Sequence, residues 1–268
     1  MAQVVENRPL ISVITVCKNA ERTIERAFYS LQRQTDDGTD SGLLFADFEH
    51  IIVDGASTDS TKRLIEQYSE TAQFPVTIIS EPDQGIYDAM NKGLACAKGL
   101  YTVFLNADDV FTQNAFVTVA DYAKELPDCI GGDCDIVDRN GNAYLRKCLP
   151  SMISERYPQI MPAQHQAWYV KTDTLQMAGG FDQTFPIAAD YELALRLIED
   201  KVSWMFVPHT VARFYLGGVS FQLARTAWDC FRVRRARRWP IVFASRLLIC
   251  NIVASYVSRV CGYFGWAR

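Results

Sequence analysis

Two adjacent acids follow an apolar run near the middle of the chain, where a buried strand would reach the surface. Tyr101–Leu105 and Asn106 predict the strand, and Asp108 and Asp109 come directly after it. Carboxylate oxygens in such a place can bind Mg²⁺ or Mn²⁺ together with a substrate phosphate. The alternative is that the acids cap the next helix, although Thr112 is better placed for that task. The pair marks a candidate metal site.

Further acids stand at the ends of other predicted elements. Asp54 follows the apolar run 48–53, where it could also serve a turn before Gly55. Asp190 lies at the start of a predicted helix, 189–201, where by default an acid caps the helix or interacts with its dipole. Ligands of open α/β sheets bind at the carboxyl ends of the strands, so we expect the strand-end acids to meet at one rim.

Several other kinds of site are disfavoured by the sequence. It contains neither G-x-G-x-x-G nor G-x-x-x-x-G-K-[ST], which argues against a dinucleotide fold or a P-loop. The eight cysteines include no C-x-x-C pair, and the spacing of Cys129 and Cys134 suits neither zinc nor redox chemistry. Reduced thiols and the absence of an apolar signal segment in residues 1–10 predict a cytoplasmic protein.

The elements that must position these acids alternate regularly in the first part of the chain. Short β-branched strands and amphipathic helices follow one another four times, which predicts an α/β domain with a mostly parallel sheet. The predicted strands are 11–16, 48–54, 75–80 and 101–106, the helices are 18–34, 57–70, 85–99 and 112–126, and a polar loop is expected at 35–42.

The pattern is less regular after residue 126. A strand at 129–138 with a hairpin turn at 139–142, the helix 189–201 and a late strand at 202–208 are the elements that we predict there.

The last part of the chain differs in charge from the rest. From Gln222 onward there are nine arginines and one aspartate, a net charge of +8, so residues 1–221 carry −12 of the total of −4. The longest charge-free run, Leu247–Ser258, has 12 residues, whereas a membrane span needs about 20. An arginine cluster before an apolar segment predicts an amphipathic helix on an anionic membrane surface. The alternative is packing on the domain or on a second subunit, and nucleic acid is disfavoured by the acidic body.

Five sequence motifs follow one another along the chain. They are ISVITVCKNA (11–20), IIVDGASTDST (51–61), EPDQGIYDAMNKG (81–93), FLNADD (104–109) and ADYELALRL (189–197). In this order they resemble an inverting glycosyltransferase of family 2 with the GT-A fold, and the resemblance extends from about residue 10 to about residue 220. SEPDQGIYDAMNKG (80–93), QHQAWYV (164–170) and GGVS (217–220) narrow it towards the bacterial branch that builds exopolysaccharides of the colanic-acid type.

The resemblance implies a donor site for a nucleotide sugar. Asp54 matches the acid that binds the base, and NADD matches the D-x-D metal motif with Asn106 in place of its first acid. Asp108 and Asp109 are then the metal residues for Mn²⁺ or Mg²⁺, and the sequence does not decide which of them touches the metal. The implied donor-binding residues are Thr15, Cys17, Asn19, Asp54, Asn91, Lys92 and Asp108.

The resemblance also places the reaction. Asp190 matches the catalytic position and would deprotonate the acceptor hydroxyl, although Ala189 stands where a second acid is common. His165 and Gln166 would contact the donor sugar or the acceptor, with a purely structural His165 as the alternative. RFYLGGVS (213–220) lacks the histidine that many relatives have there, and Arg213 is a substitute for it.

Taken together, these features predict a hexosyltransferase-type enzyme, residues 1–221, followed by membrane-associating or oligomerising helices, residues 222–268. It would move a sugar from a nucleotide donor to a lipid-linked (polyprenyl diphosphate) oligosaccharide at the inner face of the plasma membrane. The expected donor is a UDP-sugar. Such a reaction belongs to surface polysaccharide synthesis. The alternatives are a non-catalytic nucleotide-sugar-binding scaffold and a sugar nucleotidyltransferase.

Overall fold

The computed structural model describes residues 8–34, 48–154, 158–217 and 223–261. The polar loop expected at 35–42 and the Gly218–Ser220 part of the GGVS motif therefore lie outside the described residues. So does the predicted boundary between residues 221 and 222.

The first half of the sheet is parallel, as the alternating pattern predicts. Its strands follow the order β3-β2-β1-β4, and the pairings β3–β2, β2–β1 and β1–β4 are all parallel. The elements are β1 (Ile11–Cys17), α1 (Ile24–Gln32), β2 (Phe48–Asp54), α2 (Thr61–Thr71), β3 (Val76–Ser80), α3 (Ile86–Cys96) and β4 (Tyr101–Asn106).

Burial explains why these segments become strands and helices. Every residue of β1 and β2 is buried, as continuous apolar runs in a doubly covered sheet require. The predicted inner face of α1 is also correct, since Ile24, Ala27, Phe28 and Leu31 are all buried. One core lies between the sheet and α1 and α2, and a second lies on the side of α3.

The second half of the sheet is mixed. β8 joins β4 antiparallel, and β6 follows it, paired antiparallel to β8 and parallel to β9. The predicted turn at 139–142 does connect β6 and β7. The late strand is longer than the predicted 202–208, and β5 and β8 were not predicted. The strands are β5 (Val110–Phe111), β6 (Cys129–Val137), β7 (Ala143–Arg146), β8 (Trp168–Lys171) and β9 (Trp204–Tyr215).

Helices cover this half and complete the α/β arrangement. The predicted helix 189–201 is observed at Ala189–Glu199, with Leu193 and Leu197 buried. A short 3-10 helix, His165–Ala167, precedes β8. The helices are α4 (Ala115–Ala123), α5 (Ser151–Ser154), α6 (Thr172–Met177), α7 (Ala189–Glu199), α8 (Leu223–Ala236) and α9 (Ile241–Cys261).

Two arginines of the predicted cluster face the domain. Arg234 is 2% exposed and donates a hydrogen bond to a backbone carbonyl of the domain. Arg237 pairs with Glu192 and with a second acid of α7. Arg235 and Arg238 of the same cluster are exposed, so contact of the cluster with an anionic surface stays a prediction. Among the described helices, none combines the length and hydropathy that crossing a membrane requires.

Candidate active site

The parallel strands bring three predicted polar positions to one rim. In the register of the sheet, Cys17 at the end of β1 lies beside Asp54 at the end of β2. Asn106 at the end of β4 lies beside Val16 on the other side of β1. The strand ends that were expected to meet do meet, and the loops after them form the edge of the site.

Asp54 is held by its own loop. It is 1% exposed and accepts hydrogen bonds from the Ser57 amide and hydroxyl and from Ser80 Oγ at 2.9 Å. Burial, followed by the charge of Asp54, raises the pKa of the neighbouring Cys17 thiol to about 12, so Cys17 is a protonated thiol here. Asn19, at φ 52°, ties the loop after β1 to the loop after β2, because its Oδ1 accepts the Thr58 amide at 2.8 Å.

An acid that the sequence reading missed lies against this loop. A Cβ added to Gly55 would stand 1.9 Å from Asp83 Oδ2, so the Asp83 carboxylate lies directly against the backbone at Gly55. Asp83 Oδ1 also accepts the Gly85 amide at the start of α3. The motif EPDQG could have indicated Asp83, since an acid two residues before a glycine commonly forms such a turn.

The structure corrects Thr15 and Asn91 and qualifies Lys92 as donor-binding residues. Thr15 is completely buried and hydrogen bonded to His50 Nε2, so its side chain belongs to the core. Asn91 uses both ends of its amide on the backbone of Phe181, a structural role. Lys92 is paired with two acids of the α3 region, which leaves its role toward a diphosphate a prediction.

The adjacent acids Asp108 and Asp109 have opposite environments. Asp109 is fully buried, and its oxygens accept the side chain of Gln166 at 2.6 Å and the Tyr215 amide at 2.9 Å. Burial, and then the charge of Asp108, raises the pKa of Asp109 to about 7. Asp108 is half-buried, and burial raises its pKa while Arg26 opposes the rise. Asp109 is thus an interior anchor, which corrects its assignment as a direct metal ligand, and Asp108 is the acid that faces outward.

Arg26 was not anticipated from the sequence. Its guanidinium donates to the Asp108 carbonyl at 2.6 Å and stacks over the Tyr215 ring with 3.7 Å to the centroid. As one of several polar residues on the outer face of α1, it carried no signal that distinguished it from a solvated arginine.

The oxygen atoms near Asp108 suit a hard cation shared with a substrate. Asn106 Oδ1 is buried without a hydrogen-bond partner, so an acceptor is left there for an ion or a donor group. In the described part of the chain, no three His, Cys, Asp or Glu side chains converge as a metal cage. Mg²⁺ and Mn²⁺ sites of phosphate-transferring enzymes often use one or two protein oxygens plus phosphate and water. Asp108 and Asn106 fit that kind of site.

Asp190 lies at the start of α7, where contacts from two other segments hold it. Its Oδ1 lies 3.2 Å from the Tyr87 hydroxyl, whose single proton it shares with the nearer Ile187 carbonyl at 2.8 Å. Its Oδ2 stands 3.4 Å from His165 Nδ1, and one fifth of the Asp190 side chain is exposed. A carboxylate that is held in this way and still open to solvent can accept a proton from a bound hydroxyl.

The helix that carries Asp190 is capped by a distant acid. Ala188, at the N-cap of α7, has no side-chain acceptor of its own. Instead Asp229 of α8, 3% exposed, accepts the amides of Ile187 at 2.9 Å and Ala188 at 3.0 Å. Arg232 holds the other oxygen of Asp229 at 2.8 Å. No motif pointed to Asp229, because the amides that it accepts lie 42 and 41 residues away in the sequence.

The three predicted acceptor residues fall in different places. His165 lies between Asp190 and Asn106, with its Nε2 3.1 Å from Asn106 Nδ2. Gln166 is completely buried against Asp109, so its predicted contact with acceptor or sugar is wrong. Arg213 is half exposed on β9, with its Nε 3.4 Å from Asp135 Oδ2. In the pairing of β5 with β9 it lies opposite Val110, the residue after Asp109.

Comparisons with known proteins agree with this geometry. A family model described as Glycosyl transferase family 2 matches residues 12–183. A PGL/p-HBAD biosynthesis glycosyltransferase of Mycobacterium bovis (strain BCG / Pasteur 1173P2) is 26% identical, and the match covers 94% of this chain and 98% of the relative. The putative teichuronic acid biosynthesis glycosyltransferase TuaG of Bacillus subtilis (strain 168) is 31% identical over 44% of this chain and 43% of the relative.

Solved structures show the same fold. The mannosyltransferase PcManGT from Pyrobaculum calidifontis, in complex with GDP-Man and Mn²⁺, has a TM-score of 0.67 and 20% identity over 94% of this chain and 74% of its own. TarS 1-349 of S. aureus, in complex with UDP-GlcNAc, has a TM-score of 0.62 and 18% identity over 92% and 72%. The colanic-acid-type branch finds no specific support among these relatives. The chain belongs to glycosyl transferase family 2, has the GT-A fold and is a glycosyltransferase.

Proposed function

We propose that this glycosyltransferase is a metal-dependent inverting enzyme that uses a UDP-sugar. The acceptor is a hydroxyl of a lipid-linked oligosaccharide, and the reaction belongs to the synthesis of a surface polysaccharide. The observation that carries the proposal is that His165 connects Asn106 of the strand-end motif with the candidate base Asp190. Donor motif and base are thus neighbours in space although they are far apart in sequence.

The donor would lie along the rim of the parallel strands. Asp54, Asn19 and Cys17 border the pocket of the base, and Asp108 and the unpaired oxygen of Asn106 would hold the cation. When bound, Mn²⁺ or Mg²⁺ would neutralise the charge that develops on the nucleoside diphosphate as it leaves. The solved relatives TarS and PcManGT, crystallised with UDP-GlcNAc and with GDP-Man and Mn²⁺, support a nucleotide sugar and a divalent cation.

The acceptor step would depend on one carboxylate. Asp190 accepts the proton of the acceptor hydroxyl. The oxygen of that hydroxyl attacks the anomeric carbon from the side opposite the nucleoside diphosphate, which leaves. One direct displacement inverts that carbon, so the step needs no second carboxylate, and Ala189 is compatible with it. Tyr87 and the Tyr191 amide hold Oδ1, which leaves Oδ2 as the oxygen that faces the reaction.

A lipid-linked acceptor agrees with the surface of α9. Ile241, Val242 and Ile249 are 59%, 79% and 61% exposed, and the exposed Arg246 lies among them. Helix faces of this kind bind at the boundary between lipid headgroups and acyl chains. We therefore place the enzyme peripherally on the inner face of the plasma membrane, and a homo-oligomer through α9 is the competing outcome of the test.

A thermal-shift experiment tests the donor site. The protein is heated with UDP, UDP-GlcNAc, UDP-glucose, UDP-galactose or GDP-mannose, with Mn²⁺ or with EDTA. We expect stabilisation by the uridine nucleotides that needs Mn²⁺, that is lost in Asp108→Asn and that is kept in the surface control Asp121→Asn. Metal-independent stabilisation would overturn the cation site, and no shift with any nucleotide would overturn the donor site itself.

A flotation experiment tests the surface of α9. We expect binding to vesicles that contain phosphatidylglycerol, weaker binding to phosphatidylcholine alone, and loss of binding in Val242→Glu/Ile249→Glu. Leu126→Glu, an exposed apolar position on the body, is the matched control. No flotation together with a dimer that this double substitution dissociates would assign α9 to a subunit interface.

A further inference from the structure

Each ring nitrogen of His165 has one polar neighbour. Nε2 makes a hydrogen-bonding contact at 3.1 Å with the side-chain nitrogen of Asn106, and Nδ1 stands at ion-pairing distance, 3.4 Å, from Asp190 Oδ2. The His165 side chain is 14% exposed, so both contacts are largely shielded from water. Contacts between catalytic groups are often long before substrate binds, which agrees with the distance to Asp190.

The direction of these contacts follows from the partners of Asn106. Its Nδ2 also lies 3.1 Å from Asp109 Oδ2, and a carboxylate accepts hydrogen bonds, so the NH₂ end of the amide must point there. The same NH₂ group can then only donate to His165 Nε2. An Nε2 that accepts carries no proton, and the proton of the neutral ring is therefore on Nδ1, toward Asp190.

We propose that His165 is a positioning residue for Asp190 and is held in its Nδ1–H form by Asn106. This inference rests on the proposed role of Asp190 as the base. It replaces the predicted contact of His165 with sugar or acceptor. The Nδ1–H group fixes Oδ2, the oxygen that neither Tyr87 nor the Tyr191 amide holds.

The same arrangement gives a reason for the asparagine in the NADD motif. An aspartate at position 106 would accept from the ring instead of donating to it, and the proton would move to Nε2. It would also place a second carboxylate within hydrogen-bonding distance of the buried Asp109. Asn106 thereby connects the strand-end motif to the orientation of the base.

Two substitutions separate the two sides of the ring. The amide of asparagine reaches about as far as Nδ1, and that of glutamine about as far as Nε2. His165→Asn retains a donor for Asp190, and His165→Gln retains a partner for Asn106. We expect kcat within about threefold of wild type for His165→Asn. For His165→Gln and His165→Ala we expect kcat to fall by about tenfold or more, with the donor KM nearly unchanged.

Kinetics are measured as nucleoside diphosphate release from the UDP-sugar and GDP-mannose panel. Equal loss in His165→Asn and His165→Gln, or a raised donor KM at unchanged kcat, would overturn the positioning role. The second result would return His165 to the donor site. A loss of kcat in His165→Asn with kcat retained in His165→Gln would show that His165 acts only through Asn106, and would also overturn its role as a positioning residue for Asp190.

A measurement without substrate keeps the inference separate from the proposed function. Long-range ¹H–¹⁵N correlation spectra of the ¹⁵N-labelled protein report which ring nitrogen of each histidine carries the proton, with His165→Asn for assignment. We expect protonated Nδ1 and acceptor Nε2 for His165 at neutral pH, and a shift of the Nδ1–H signal in Asp190→Asn. An Nε2–H form would overturn the inference, whereas the expected form in a protein without turnover would refute only the proposed function.

Discussion

The rim around Asp54 and the end of α7 around Asp190 hold their carboxylates by different means. Asp54 is buried and is bound by Ser57, three residues later, and by Ser80 at the end of the adjacent strand. Asp190 remains one-fifth exposed and is bound by Tyr87 and His165, which come from other parts of the chain.

The difference matches the role that we propose for each end. A pocket for the base of a nucleotide can be formed before the ligand arrives, so local hydrogen bonds and full burial would suit Asp54. A general base must reach a second substrate, so the proposed role of Asp190 requires a carboxylate that stays open and is oriented by groups around it. The comparison predicts that changes at the rim alter stability and donor binding together, whereas changes near α7 alter turnover.

The largest expected effect is at Asp190 itself. Asp190→Asn removes the proton acceptor without changing its shape, so kcat should fall by about 10² to 10⁴. Stabilisation by UDP and Mn²⁺ should remain. Asp173→Asn, an acid in the first turn of α6, is the control. Turnover that survived in Asp190→Asn would mean that another residue is the base. The proposed difference in role between the Asp54 rim and the start of α7 would then be wrong.

His50, beneath the rim, should make the folded state sensitive to acid. Burial lowers its pKa from 6.5 to about 3, so between these values the unfolded chain binds a proton that the folded chain does not. Its contribution is complete above pH 6.5 and is lost as the pH falls. We expect roughly 2 to 3 kcal/mol less stability at pH 4.5 from this group.

Urea unfolding at pH 7 and pH 4.5 measures the loss. His50→Gln, which cannot take up the proton, should lose less stability over the same interval than wild type. His209→Gln, at an exposed position, should follow wild type. If His50→Gln lost as much free energy of unfolding between pH 7 and pH 4.5 as wild type does, groups other than His50 would dominate acid unfolding.

Asp54→Ala should weaken stability and donor binding at once. It leaves the Ser57 amide and the hydroxyls of Ser57 and Ser80 without their acceptor, which we expect to lower the free energy of unfolding by about 2 kcal/mol. Urea midpoints and the UDP-dependent thermal shift measure the two effects, with Asp121→Ala as the control. A loss of binding at unchanged stability would mean that the loop does not depend on Asp54.

The smallest effect is expected at Asp229. Asp229→Asn keeps one acceptor for the amides before α7 but loses the pair with Arg232, so we expect about 1 kcal/mol less stability and about five- to tenfold lower kcat. The donor-dependent shift should persist, and Glu199→Gln on α7, which removes only the partly exposed pair with Arg237, should resemble wild type. A donor effect in Asp229→Asn would contradict the separation of the two ends.

The sequence predicted the parts of the molecule that depend on local patterns. The four parallel strands and their helices were correct because apolar runs and apolar helix faces are short-range signals. β5 and β8, with two and four residues, were missed because neither is long enough to show a period. The second half of the sheet depends on pairings between distant segments, which a pattern within one window does not contain.

The same distinction applies to the site. Strand-end acids indicated the rim, yet the sequence could not separate Asp108 from Asp109, because Gln166 and Tyr215 decide which of them is buried. Thr15 and Asn91 were assigned to the donor from motif position alone, and their partners His50 and Phe181 show otherwise. The roles of Arg26 and Asp229 depend on contacts across the fold, and no spacing in the sequence reveals them.

The bond from Asp229 to the start of α7 limits how this enzyme can be divided or recombined. The family match ends at residue 183, before both Asp190 and Asp229. A fragment without α8 would keep the donor rim but would lose the cap on the helix of the base. Exchange of α8 and α9 between relatives, a simple way to redirect an enzyme to a new surface, should therefore alter catalysis as well as attachment. The last two helices and the reaction centre must change together.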